Sequence, residues 1–220
     1  DKGTRDRAYM NAMGRLADAH PEDLEARVFY SLAILGSTDG ERDFATYMRA
    51  AAQALRVSEA NPQHPGAVHY TIHSFDDPVH APLGLAAARA YSEIAPDAGH
   101  AQHMTSHIFV AMGLWDDLVA ANIRARDVQN GREAELGRTP NVCGHYTSWL
   151  HYGWLQRGEV EAAERGMAEC HERVASGTGT ASEANYFVNM RARHVLDLGD
   201  WDAAARLSAD LEAHPVYTFI

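Results

Sequence analysis

Several common chemistries are missing from this chain. Cysteine is nearly absent: Cys143 and Cys170 are the two in 220 residues, and neither belongs to a C-x-x-C. That excludes a zinc ribbon and a thioredoxin-type motif. The pair falls near the start of one predicted helix and the end of its antiparallel partner. A disulfide is therefore conceivable beside the reading of two free thiols, with Cys170 in the core. No apolar run approaches the ~18–20 residues of a membrane span. No basic cluster is present and the net charge is −11, which disfavours nucleic acid. No Gly-rich phosphate loop stands between a strand and a helix. Proline is sparse, at eight residues, while Ala, Leu, Glu and Arg are plentiful, so helices are favoured. Hydrophobic residues make up 46%, enough for a packed core and against disorder.

What the chain has in excess is histidine. There are 13, and His64, His69, His73, His80, His100, His103 and His107 share one stretch. Within it, HPGAVHYTIH and GHAQHMTSH each hold a His-x-x-x-His pair, His69/His73 and His103/His107. An i,i+4 pair on a helix projects from one face with Cβ atoms roughly 5–6 Å apart. The second pair follows the first by 34 residues at both members (69 to 103, 73 to 107).

Apolar spacing predicts helices over Tyr9–His20, Asp23–Leu35, Arg42–Ala60, Gly66–Phe75 and Pro82–Ile94. Further helices are predicted over His100–Met112, Asp116–Gln129, His145–Gln156, Glu159–Val174, Glu183–Leu198 and Trp201–Ala213. Pro65 stands where proline suits a first helical turn. Asn130 to about Asn141 reads as a polar linker and Ser176–Thr180 as a second break. Three turns share a pattern: GLWDDLVAA from Gly113, GEVEAAERG from Gly158 and GDWDAAARL from Gly199.

The 34-residue step and these turns resemble the tetratricopeptide repeat (TPR). Ser106 and Ala192 occupy its small slot, Phe109 and Trp154 its aromatic slot, and Ala163 and Ala204 the small position of its second helix. His151 and Ile72 depart from the small slot, and the His69/His73 hairpin turns at Asp-Pro. The resemblance implies an all-α fold, an α-solenoid of antiparallel hairpins in a right-handed superhelix. It implies one solenoid over 1–220, a piece of a longer chain. Residues 1–21 would be a trailing helix, followed by hairpins at 22–62, 65–96, 99–130, 144–175 and 183–214. The string HPGAVHYTIHSFDDP…HAQHMTSHIF is also similar to a bacterial TPR-like group with an HPGxxHYxIH…HAxHMxSHIF signature. That likeness implies longer, often exported parent chains. The chain is read as soluble, cytoplasmic or exported, any signal region lying outside this stretch.

In TPR arrays the first helix of each hairpin lines a concave groove. The resemblance carries those slots onto His69, His73, Asp76 and Asp77, then His100, His103, His107 and Val110. Further along they fall on His145, Ser148 and Tyr152, then on Tyr186, Asn189 and Arg193. Neighbouring helix axes lie about 8–10 Å apart, so imidazoles from two such helices can meet at one ion. The expected metal ligands are His69, His73, His103 and His107, with His100, Asp76 and His145 as possible additions. A carboxylate such as Asp76 or Asp77 could equally accept from a ligand's distal N–H. This set suits Zn, Cu, Ni or Fe without choosing among them. The bland alternatives are a structural hydrogen-bond layer, or a groove receiving a peptide carboxylate. His64 and His80 read as loop histidines, and His20, His171, His194 and His214 carry no signal.

An open coordination position would make the site a metal-dependent hydrolase or oxidoreductase, with Asp76, Asp77, Tyr70 and Tyr152 as candidates for proton transfer. A Ser106–His107 nucleophile pair is disfavoured, because adjacent helical residues point apart. The alternative function is a non-enzymatic scaffold holding a peptide, partner protein or small molecule in the groove. A second alternative is a structural metal joining two hairpins. Ligand imidazoles must be neutral, so affinity is expected to fall as pH drops through the histidine range near ~6.5.

Overall fold

The computed structural model describes residues 1–38, 40 and 42–202. These residues form ten helices and no strand. The chain divides into two compact units, Asp1–Leu114 and Trp115–Ile220. The hairpin expected at 99–130 straddles that boundary. The first unit holds α1 (Lys2–Ala19), α2 (Leu24–Gly36), α3 (Phe44–Ala60), α4 (Pro65–Phe75), α5 (Ala81–Ile94) and α6 (Gly99–Ala111). The second holds α7 (Trp115–Glu135), α8 (His145–Gln156), α9 (Val160–Ala175) and α10 (Ala181–Leu198).

Helix starts follow local chemistry. Asp23 and Asp43 cap α2 and α3 by accepting from the N–H groups of Ala26 and Ala45. Thr180 and Glu183 form a reciprocal capping box at the start of α10. Helix ends use left-handed glycines where the turn pattern placed them: Gly113, Gly158 and Gly199 have φ of 69°, 72° and 67°. Two boundaries differ from expectation. Helix α1 begins well before Tyr9, and α7 runs through Asn130 to Glu135. Asn130 does not open a linker; its side chain accepts the Asn141 N–H at 2.8 Å and ties the following loop back to the helix. Ala204, His214 and the predicted helix over Trp201–Ala213 beyond Asp202 lie outside the described residues.

In the first unit each helix packs on its predecessor, and α4 also touches both α2 and α6. Helices α2, α4 and α6 thus form one layer, with α3 and α5 behind it. Small residues make this possible. Ala50, Ala51 and Ala54 of α3 are buried, and the Ser31 hydroxyl donates to the Ala50 carbonyl at 2.8 Å. A Cβ on Gly84 of α5 would lie 2.7 Å from Ile108 Cδ1, so glycine there lets α5 close onto the fully buried Ile108 of α6. The core includes Val28, Ile34, Val57, Ala67, Ile72 and Met104.

In the second unit α8 packs against α7, α9 and α10. Cys143 and Cys170 are joined as a disulfide with a Cα–Cα distance of 4.5 Å. The reading of two free thiols is thereby replaced. The bridge sits in a cluster with Val174, Ala184, Phe187 and Met190. Linking residues 27 apart removes unfolded-state entropy worth about 3–4 kcal/mol. Thermal unfolding with and without reductant should show a lower midpoint for the reduced protein, and the double variant Cys143→Ala/Cys170→Ala should match it without responding to reductant.

Candidate metal centre

The two ends of α4 hold the first histidine pair in place. At its start His64 Nδ1 accepts the Ala67 N–H at 3.3 Å, so Nε2 carries the proton that faces Glu25 Oε1 at 3.1 Å. His64, read from the sequence as a loop histidine, is the N-cap of α4. At the other end Arg42 donates to the carbonyls of His73 and Ser74, at 3.3 and 2.7 Å, and to Asp77 Oδ2 at 3.1 Å. Its guanidinium lies 3.7 Å over the Tyr47 ring. Asp77 also accepts from the backbone N–H groups of Val79 and His80 and from the His80 ring. Burial pushes the Asp77 pKa up, but these hydrogen bonds and the Arg42 charge outweigh it and keep the carboxyl below its ordinary value. The structure thus commits Asp77 to the loop after α4.

Helix α6 is tied to the end of α5, because the Gln102 amide donates to the Ser92 carbonyl at 2.9 Å. With α4 and α6 in one layer, their histidines meet. His69 and His73 have ring centres 4.8 Å apart, His69 and His100 5.2 Å, His73 and His107 6.2 Å, and His103 and His107 5.1 Å. The order His100–His69–His73–His107–His103 is continuous.

The closest approach is between His103 Nε2 and His107 Nε2, at 3.2 Å. Both rings are also held from behind. His107 Nδ1 lies 2.8 Å from Asp76 Oδ2, and a carboxylate can only accept, so Nδ1 carries the proton. The Ser106 hydroxyl donates to the His103 carbonyl and lies 3.4 Å from His103 Nδ1. With Nδ1 of His107 protonated, its Nε2 is the ring's acceptor, and it faces His103 Nε2. Nitrogens bound to one zinc-like ion at ~2.0–2.1 Å stand about 2.9–3.4 Å apart. These two nitrogens can share a cation. Among the described residues of this unit, no three such side chains bring ligand atoms within 4.8 Å of one another. The cluster is a run of close pairs.

His69 lies stacked beside Tyr70 and Tyr91, at 5.4 and 5.5 Å between ring centres. Its Nε2 is buried without a hydrogen-bond partner. Burial pushes its pKa down to about 4, reinforced by His73, His100 and His107. Burial does the same to His73, also to about 4, with His107 adding to the shift and Asp76 opposing it. His100 is lowered by burial and by His107. Tyr70 is raised, by burial first, so its phenol keeps its proton.

The remaining candidates lie in the second unit, on α8 and α10. His145 Nδ1 stands 3.5 Å from the Tyr186 hydroxyl, and the Arg193 guanidinium lies 4.3 Å over the Tyr152 ring. Tyr152 also meets Trp115 edge-on at 5.6 Å. Ser148 donates to the His145 carbonyl at 2.7 Å, and Asn189 is exposed. One pair escaped the sequence reading altogether. His151 is fully buried, with Nε2 3.2 Å from His194 Nδ1, while its own Nδ1 has no hydrogen-bond partner. Burial, His194 and Arg193 push its pKa down to about 4. These residues are 43 apart, which is no multiple of the repeat, so spacing carried no signal.

No protein-family model matches the chain, and no curated protein matches it. Among solved structures, "MamA RS-1 ArsTM double mutant", a TPR-containing protein, superposes with a TM-score of 0.59 at 15% identity. The match covers 82% of this chain and 98% of that one. At that identity the likeness speaks to the fold. Together with the all-helical architecture, it shows a TPR-like helical fold, consistent with an α-solenoid.

The low pKa values of His69 and His73 set how the fold responds to acid. An unfolded histidine takes its proton near ~6.5, whereas these folded ones wait until about 4. Between those values the unfolded chain binds more protons, so acidification through that window destabilises the first unit. In the metal-free protein, NMR titration should show the His69 and His73 ring protons moving near pH 4; titration of both near 6.5 would contradict their burial.

Proposed function

We propose that this TPR-like protein binds a transition-metal ion through the histidines of α4 and α6. The observation that carries the reading is the His103–His107 pair, whose Nε2 atoms lie 3.2 Å apart. Asp76 behind His107 supplies the carboxylate–histidine arrangement that fixes a ligand's tautomer and raises its basicity. His69 and His73 extend the donor set, and burial keeps both neutral at pH 7, the form that binds metal. His100 adds a further imidazole beside His69. Imidazole-dominated donors suit zinc, copper, nickel or iron better than magnesium or calcium.

The reading is of binding more than of catalysis. Of the four proton-transfer candidates, Asp76 is engaged with His107 and Asp77 with Arg42 and His80. Tyr70 holds its proton, and Tyr152 lies in the other unit under Arg193. A second reading, a scaffold for a peptide or partner protein, is favoured by the TPR-like fold and by the His145/Tyr186 and Tyr152/Arg193 pairs along α8 and α10. A third, a structural ion joining two hairpins, uses the same ligands.

Protein purified without a histidine tag should carry close to stoichiometric metal by mass spectrometry, or take it up tightly on addition. The double variant His69→Ala/His103→Ala should lose at least tenfold in affinity while circular dichroism stays helical. Melting of that variant together with metal loss would favour the structural ion. Absence of metal on purification and on addition would leave the scaffold reading.

A further inference from the structure

Resting on the metal reading above, we infer that the α4–α6 cluster seats two cations, one on each of two successive rungs. The first rung is His69 opposite His100, with ring centres 5.2 Å apart. The second is His103 with His107, backed by Asp76. His73 stands between them, 4.8 Å from His69 and 6.2 Å from His107.

Three features argue for two centres. One tetrahedral ion takes four ligands, and this cluster offers five imidazoles. Nitrogens on a single ion lie no farther apart than about 4.2 Å, twice the metal–nitrogen bond. Within this unit no three of the described ligand atoms fall even within 4.8 Å of one another. A single centre drawing on all these rings would have to pull them inward, against an α4 held at both ends by His64 and Arg42. Two centres instead draw on neighbouring rings, His69 beside His100 and His103 with His107. The third feature is His69 Nε2, buried and without a hydrogen-bond partner. A buried imidazole nitrogen left unpaired costs free energy, and a cation on the first rung would relieve it. Neighbouring turns of a helix are ~5.4 Å apart, so two ions on successive rungs would be near but separate.

The test loads the full chain in turn with Zn(II) and, under argon, with Cu(I), removes excess by desalting, and counts metal per chain. Two ions with at least one of these metals is the expected result. One ion at most with both would overturn the two-ion inference and leave metal binding standing; none with either would remove metal binding itself. His69→Gln/His100→Gln and His103→Gln/His107→Gln should each lower the count from two to one. If either pair abolishes both ions, the rings form one shared centre; if neither changes the count, the ions sit elsewhere, and both outcomes defeat the proposal. His103 is buried, so circular dichroism accompanies each variant. The exposed His100 supplies a variant that leaves the core intact: His100→Ala should weaken the second equivalent at least tenfold and leave the first unchanged, and equal weakening of both, or none, would also overturn the assignment.

Discussion

The candidate site depends on one packing relation: α4 and α6 lie side by side in the same layer, one repeat apart. Two i,i+4 histidine pairs would otherwise face different surroundings. The relation holds because α5, behind them, approaches closely at Gly84, where a side chain would strike Ile108. It holds also because α4 is pinned at its start by His64 and at its end by Arg42. None of these residues carries a metal ligand's role, yet they bring the rings of His73 and His107 within reach.

Burial and charge then shape what the rings can do. Desolvation favours neutral imidazole, and each neighbouring imidazole adds to that preference. A cluster that resists protonation keeps its imidazoles in the neutral form that can bind a cation. The same physics acts on the buried His151 of α8 beside His194 of α10 in the second unit, with Glu164 3.9 Å from His194. Histidines alone do not distinguish the two cases. Distance does: Asp76 stands 2.8 Å from His107 Nδ1, close enough to fix the tautomer and aim the other nitrogen, whereas Glu164 is too far from His194 for a hydrogen bond.

The fold likeness adds architecture without chemistry. A TM-score of 0.59 at 15% identity reflects shared hairpin geometry, and function resides in the side chains grafted onto it. The disulfide between Cys143 and Cys170 is a comparable local addition, cross-linking the start of α8 to α9 inside the apolar cluster of the second unit.

Helix spans, turn glycines and the 34-residue register of the two histidine pairs were legible in the sequence. Each rests on local rules: apolar periodicity, positive φ at Gly113, Gly158 and Gly199, and the constant projection of an i,i+4 pair. The extension of α7 past Asn130 was not legible, because a side-chain tie to Asn141 outweighs the turn propensity of the residue. Nor were the roles of the two neighbouring carboxylates, Asp76 and Asp77, which differ by one position yet face His107 and Arg42 respectively. Periodicity says which face of a helix a residue occupies. Ring orientation, protonated nitrogen and partner across the layer depend on packing between residues far apart in sequence, and only the tertiary structure decides them.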